Sequence, residues 1–380
     1  MPFLNDMLAD TARRQKNADA LCAETRSVEN VIATHRLASG TGLNSRFQFD
    51  VDIIASHLHR DIIGQADAIE AVVDMLRIVR ADIADPRRPL YTSLLMGPTG
   101  VGKTELVRVL ARAMHGDADA LCRIDMNTLS QEHYAAAISG APPGYVGSKE
   151  GRTILDQDKI EGTSGMPGIV LFDELEKASP TVVLSLLNVF DNGILTTASG
   201  ERTYSFRNAI IFMTSNLGAE ELRRKAEAEE GPLWRKFLQP GSLRAPASAI
   251  AQKALLGRFP PEFVNRIDHI DVFNWIDHAC IDAIVELELE KLNRRLTRHE
   301  THIEISPSLR KYLAKEGFDR QFGARSLRRA VRRFVEIPFA RHLLSEPPPA
   351  VGQGRCYICE LRQGSVSFRQ VAGEGDNNFR

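Results

Sequence analysis

The string GPTGVGKT, Gly97 to Thr104, constrains this chain more than any other stretch in it. It follows the apolar run SLLM and precedes ELVRVLARAM, whose apolar residues recur at helical spacing. A strand that turns through glycines into a helix curls its backbone N–H groups into a cradle for phosphates. In that reading Gly97, Pro98, Thr99, Gly100, Val101 and Gly102 form the cradle. Lys103 carries a cation to the terminal phosphates of a nucleotide such as ATP, and the Thr104 hydroxyl ligates Mg²⁺. A plain glycine-rich turn is the alternative, and both flanks argue against it.

LCRIDM, GIVLFDE and NAIIFMTSN are further short apolar runs, separated by segments of helical period. That texture marks a buried parallel sheet with crossover helices, an α/β fold. The expected organisation is a helical N-terminal extension and linker over 1–49 and a large P-loop subdomain over 50–276. The latter carries a Pro/Gly-punctuated insertion at 219–257, a helical hairpin or partly ordered segment that Trp234, Phe237 and Leu238 would pin to the body. A smaller α+β unit follows over 277–370, opened by the long charged helix of DHACIDAIVELELEKLNRRL, and 371–380 form a tail.

Charge decides which partners to exclude. With 48 Lys+Arg against 49 Asp+Glu the net charge is −1, so no overall field draws DNA, RNA or an anionic membrane. No apolar run approaches the roughly 18 residues of a membrane helix. Five cysteines, at 22, 122, 280, 356 and 359, form no disulfide framework, which points to a reducing, cytoplasmic setting. Cys356 and Cys359 make a C-x-x-C inside strand-like RCYICELR, with no second pair nearby to complete a metal site.

Asp173 and Glu174 end the strand-like IVLFDE. One carboxylate there can hold the water shell of Mg²⁺ and the next can polarise an attacking water, though an acidic pair after a strand is also a common helix start. Asn216 ends the third buried run, within reach of a terminal phosphate, or serves as a turn former. Arg266 in PPEFVNRID and Arg325 in FGARSLRRAV are candidates to neutralise the charge of a phosphoryl transition state; each alone would be a surface charge. GAPPGYVGSKEG raises a different question, because it sets Tyr145 and Val146 between Gly144 and Gly147 in a loop that should be wet.

Taken together, GPTGVGKTEL, GAPPGYVGSKEG, VLFDELEKASP, FRNAIIFMTSNLGA, PPEFVNRID and GARSLRRAV resemble, in order and spacing, the C-terminal ATPase module of Clp-type AAA+ unfoldases such as ClpB and ClpA, over about residues 50 to 370. The resemblance implies a hexameric ring with ATP between subunits, a lid subdomain and a polypeptide substrate. On it, Ile62 and Ile63 in RDIIGQADAI lie against adenine, Asp173 and Glu174 are the Walker B pair, Asn216 is the sensor and Arg325 is the lid arginine. Arg266 is the finger that enters the neighbour's site. Tyr145 and Val146 are the pore loop, whose aromatic face can grip any chain while Gly144 and Gly147 permit its swing. Residues 191–206 stand where a second channel loop is expected.

The chain departs from that pattern in places. Pro260 replaces the basic residue of a second finger, with Arg258 the only nearby substitute. Residues 219–257 lack the apolar-Gly-apolar tripeptide that docks on a barrel protease, so such a partner is not expected. One ATPase module is recognisable, and no N-terminal substrate domain, coiled-coil middle domain or zinc-binding module is recognisable in the sequence. The leading expectation is therefore an ATPase that threads polypeptide through a ring. The rival is a dedicated assembly or disassembly factor recruited to one partner through residues 1–49. A DNA-loading ATPase is disfavoured by the near-zero charge and the apolar pore loop.

Overall fold

The computed structural model describes residues 44–129, 155–196, 203–229, 246–320, 322–346, 354–362 and 364–371. Along the chain come β1 (Tyr91–Met96), β2 (Cys122–Asp125), β3 (Gly168–Asp173), a hairpin of β4 (Ile194–Thr196) and β5 (Thr203–Ser205), then β6 (Ala209–Ser215) and β7 (His269–Val272). Five of these form a parallel sheet in the order β2-β3-β6-β1-β7. Every position of β3 and β6 is buried, as expected of central strands covered on both faces.

The period-2 alternation of these strands divides the sheet between two cores. Leu95, Ile169, Leu171, Ile210 and Phe212 face α1 (Val51–Asp61), α2 (Ala66–Arg80) and α3 (Lys103–His115). Leu94, Met96, Val170, Phe172, Ile211 and Met213 point to the other side. After the short α4 (Gln157–Glu161), that opposite face is covered by α5 (Pro180–Asn192) and, beyond α6 (Ala219–Glu229), by α7 (Ala247–Leu256) and α8 (Pro261–Val264).

Register places the chemistry. In the parallel pairing Phe172 lies beside Met213, and Met96 beside Ser215. The C-terminal ends of β3, β6 and β1 therefore finish level, which brings Asp173, Asn216 and the loop after Met96 to one edge of the sheet, where open α/β sheets hold their ligands.

Beyond β7 the chain enters a second lobe made of α9 (His278–Leu296), β8 (Thr301–Ile305), α10 (Pro307–Gly317), α11 (Ala324–Val331), α12 (Ile337–Ser345), β9 (Arg355–Arg362) and β10 (Ser365–Val371). Its sheet runs β10-β9-β8, antiparallel between β9 and β10 and parallel between β8 and β9. Between α11 and α12, Arg332–Glu336 form a π-helical turn. Pro338, which has no N–H to donate to a preceding turn, follows at once. The first core continues into this lobe through Val285, Leu309, Leu327 and Tyr357.

Two local readings shift. The glycine-marked linker ahead of Asp50 is packed from Ser45 onward: Phe47 and Phe49 are buried, and Arg80 donates its Nε–H to the Phe49 carbonyl oxygen at 3.1 Å. Two aromatics in FQF outweigh the preceding glycines. In the C-x-x-C, Cys356 and Cys359 stand three apart on a strand and so face opposite sides of the sheet. Burial pushes the Cys359 thiol up to about 12, so it stays a thiol. In the insertion, α6 and α7 flank residues 230–245, which lie outside the described residues together with Trp234, Phe237 and Leu238.

Candidate active site

The loop between β1 and α3 needs glycine at each of its three glycine positions. Gly97, Gly100 and Gly102 have φ of +140°, +79° and +108°, which side-chain-bearing residues avoid. At Gly100 a Cβ would also sit 2.2 Å from the Phe322 carbonyl oxygen, and at Gly97 2.6 Å from that of Phe273. Gly102, the N-cap of α3, carries no side chain to cap it, so the first-turn N–H groups of Lys103 and its neighbours keep their affinity for an anion.

Lys103 is buried, and its ammonium donates to the carbonyls of Gly97 at 2.6 Å and Pro98 at 2.7 Å and to Asn216 Oδ1 at 2.9 Å. Burial lowers its pKa to about 8, against the pull of Glu176. Asn216 is oriented in turn by Glu176, whose Oε1 accepts from Asn216 Nδ2 at 3.1 Å and from its backbone N–H at 3.3 Å.

Asp173 accepts from both adjacent threonines, Thr104 Oγ1 at 3.3 Å and Thr214 Oγ1. Its other oxygen holds Arg123, at 2.6 Å from Nη2 and 3.1 Å from Nε. Glu174, next along, sits in the left-handed region at φ +58°, with its backbone N–H on Thr214 Oγ1 at 3.0 Å. A non-glycine residue held there stores strain, of the kind that clusters at reactive sites.

A cavity of about 280 Å³ opens between the lobes over these groups, lined on the large-lobe side by Ile62, Ile63, Thr99 to Thr104, Asp173, Glu174 and Asn216. The lid contributes Ile284, Leu287 and Arg325. The lobes meet at the loop itself, where the Ala324 N–H donates to the Gly100 carbonyl at 3.0 Å. Lys291 of α9 bridges Glu105 of α3 across the mouth at 3.2 Å and pairs with Glu288 on its own helix at 3.1 Å. The donor set suits a nucleotide and a hard cation: a glycine cradle for phosphates, apolar Ile62, Ile63, Ile284 and Leu287 for a base, and a hydroxyl beside a carboxylate for Mg²⁺. Among the described residues no group of three or more His, Cys, Asp or Glu is gathered to hold a metal.

Of the residues singled out in the sequence, Arg266 does not line this cavity; its guanidinium pairs with Asp191 at 2.7 Å and is half-exposed. Arg258 turns onto the carbonyl oxygens of Glu176 and Ala178 at 3.1 Å. Gly144, Tyr145, Val146 and Gly147 lie outside the described residues, as do 197–202 of the second channel segment. The sequence reading missed Arg123, Thr214, Glu176 and the exact part of Gln65. The buried carboxamide of Gln65 donates to the Asn274 carbonyl at 2.9 Å and accepts from its N–H at 3.0 Å, fastening the Ile62–Ile63 loop to the link between the lobes.

Residues 88–270 match the family model for the AAA domain (Cdc48 subfamily), and residues 276–353 match the C-terminal, D2-small domain, of ClpB protein. The chain belongs to the Clp-type AAA+ family. It is 53% identical over 369 residues to the ATP-dependent protease ATP-binding subunit-like protein AmiB of Pseudomonas aeruginosa, covering 97% of this chain and 99% of that protein. It is 39% identical over 316 residues to the chaperone protein ClpB of Aquifex aeolicus, covering 83% of this chain but 30% of ClpB. A closed-state reconstruction of Hsp104 with ATPγS and FITC casein superposes with a TM-score of 0.69 at 28% identity, over 84% of this chain and 51% of that one. This Clp-type chain is accordingly an AAA+ ATPase, with a parallel sheet, flanking helices and a D2-small lid.

Proposed function

We propose that the protein is an ATP-driven remodeller that unfolds polypeptide by drawing it through the pore of a hexameric ring, with residues 1–49 available to recruit an adaptor. The observation that carries this reading is the division of catalytic groups. Lys103, Thr104, Asp173, Glu174, Asn216 and Arg325 converge on one cavity, while Arg266 stands outside it. On this reading Arg266, set apart from its own cavity and half-exposed, completes the site of a neighbouring copy, and hydrolysis is a property of an assembly.

Within the cavity the α3 N-terminus and Lys103 bind the phosphates, and Ile62 and Ile63 cover the base. Glu174 accepts a proton from the attacking water as the γ-phosphoryl group passes from ADP to that water. Asn216, fixed by Glu176, holds the phosphate and water in line, and Arg325 tells the lid whether nucleotide is present. Mg²⁺, held by Thr104 and Asp173, supplies neutralisation of phosphate charge when bound.

Solved Hsp104 with FITC casein and the ClpB relatives support a polypeptide substrate. Tyr145 and Val146 on their glycine hinge are the residues to grip it. The 53%-identical relative is named for a protease subunit; because residues 219–257 lack a barrel-docking tripeptide, we read this chain as working without such a protease, in the cytoplasm. Among the described residues no helix is long and apolar enough to cross a membrane.

The test measures ATP turnover and unfolding of a tagged substrate side by side. Glu174→Gln should bind ATP and lose turnover by about 10²–10⁴-fold, whereas Tyr145→Ala should keep basal turnover and lose unfolding. Normal turnover in the first variant, or normal unfolding in the second, contradicts the reading.

A further inference from the structure

Arg123 is absorbed by none of the roles above. It lies on β2, where burial alternates so that Cys122 and Ile124 face the core while Arg123 and Asp125 face out. Its Cα partner across the parallel pair is Leu171, yet its guanidinium reaches two residues further along β3 to Asp173. Both contacts, from Nε and Nη2, fall on Oδ2, while the Thr104 and Thr214 hydroxyls take Oδ1. Asp173 itself is buried, so this carboxylate has its charge met by one cation and its other oxygen met by two hydroxyls.

Water molecules in the shell of Mg²⁺ seek the same lone pairs on Asp173 that Arg123 occupies. Two cations cannot share Oδ2 at contact distance without repulsion. We propose that Arg123 is a positioning residue that stands in for the metal on Asp173, keeps the carboxylate aimed at Thr104, and is displaced when magnesium nucleotide binds. A place to receive it exists: Arg123 also borders a second, open cavity beside α3, where the exposed carboxylates of Asp119 and Asp156, paired with Arg108 at 3.1 Å and Lys159 at 3.7 Å, can exchange partners. The inference rests on the reading of the main cavity as a magnesium nucleotide site, and it adds that this site is guarded against metal by a resident side chain.

The experiment is a Mg²⁺ titration of the binding of a fluorescent ATP analogue to the full chain, for wild type, Arg123→Gln and Arg123→Lys, with a chelator-treated sample as baseline. Loss of the charge-assisted hydrogen bonds from Arg123 to Asp173 should lower the Mg²⁺ midpoint by about tenfold in Arg123→Gln. Arg123→Lys, which keeps the charge but has no planar fork, should fall between. Metal-free affinity should stay within about twofold of wild type, since the residue acts on the metal and not on the phosphates. An unchanged or raised midpoint overturns the proposal. So does loss of metal-free binding in Arg123→Gln, which would make Arg123 a phosphate ligand instead. If Arg123→Gln melts early, the lysine variant decides alone by the same midpoint. Failure of the wild type to bind the analogue at all would instead remove the nucleotide site on which the inference stands.

Discussion

The phosphate cradle on the large-lobe side of the nucleotide cavity is made of backbone, and the lid wall is made of side chains. On the first, three glycines with positive φ, the uncapped start of α3 and the level ends of β1, β3 and β6 set where phosphate can lie. On the second, Arg325, Ile284 and Leu287 project from helices, and the partly exposed ion pair of Lys291 with Glu105 ties the lobes across the mouth. Backbone geometry is fixed by a whole sheet, whereas partly exposed ion pairs contribute about 0–1 kcal/mol each and weaken in salt. The difference teaches where movement is easiest: the cradle is held by the sheet, whereas the side chains of the lid wall can shift against it. Among the described residues, the Ala324 to Gly100 bond joins the two walls through backbone groups, and the Gln65 carboxamide clasps the backbone of Asn274 in the link between them.

The strongest way to break this contrast is Gly100→Ala. A methyl group there meets the Phe322 carbonyl oxygen and a φ that alanine resists, so cradle and lid cannot both keep their places. A strained residue alone costs about 1–3 kcal/mol. We expect a lower melting temperature and loss of ATP binding by calorimetry; wild-type affinity would show that the lid does not rest on the loop.

A pH titration sharpens it next. Burial depresses the folded pKa of Lys103 from 10.5 to about 8, so between those values the folded chain binds fewer protons than the unfolded one. The burial cost of this ammonium is therefore present in full below about pH 8 and relieved as pH rises from 8 toward 10.5, where its share of stability increases. Bound phosphates restore the charge. ATP binding should take up a proton near pH 9, seen as heats that differ between buffers of unlike ionisation enthalpy, and affinity should fall above pH 8. Heats independent of buffer would mean that Lys103 is charged throughout.

The mildest probe is Lys291→Ala. It should leave the melting temperature of the large lobe unchanged and weaken ATP binding by less than about fivefold, with most of the difference gone in high salt. A larger, salt-insensitive loss would show that the lid wall is as fixed as the cradle.

The contrast also governs what could be read from the chain alone. The cradle is one contiguous string bounded by a strand and a helix, and Asp173, Glu174 and Asn216 each end an apolar run, so periodicity located them. Arg325 and Arg266 stood out only through resemblance, because nothing local separates either from a surface charge. Arg123 was not legible. Its meeting with Asp173, 50 residues away, depends on the register of β2 against β3 and on a diagonal reach that no spacing encodes. Gln65 and Glu176 act through partners 209 and 40 residues away for the same reason. The C-x-x-C, by contrast, was answered by strand periodicity once β9 was in place.

The central claim is that one copy finishes another's active site, and mixing two crippled variants tests it most directly. Arg266→Ala and Glu174→Gln should each be inactive as pure samples and should recover ATPase activity when mixed, because a subunit with an intact Glu174 can then sit beside a neighbour with an intact Arg266. No recovery at any ratio, or full activity of Arg266→Ala alone, would contradict the account.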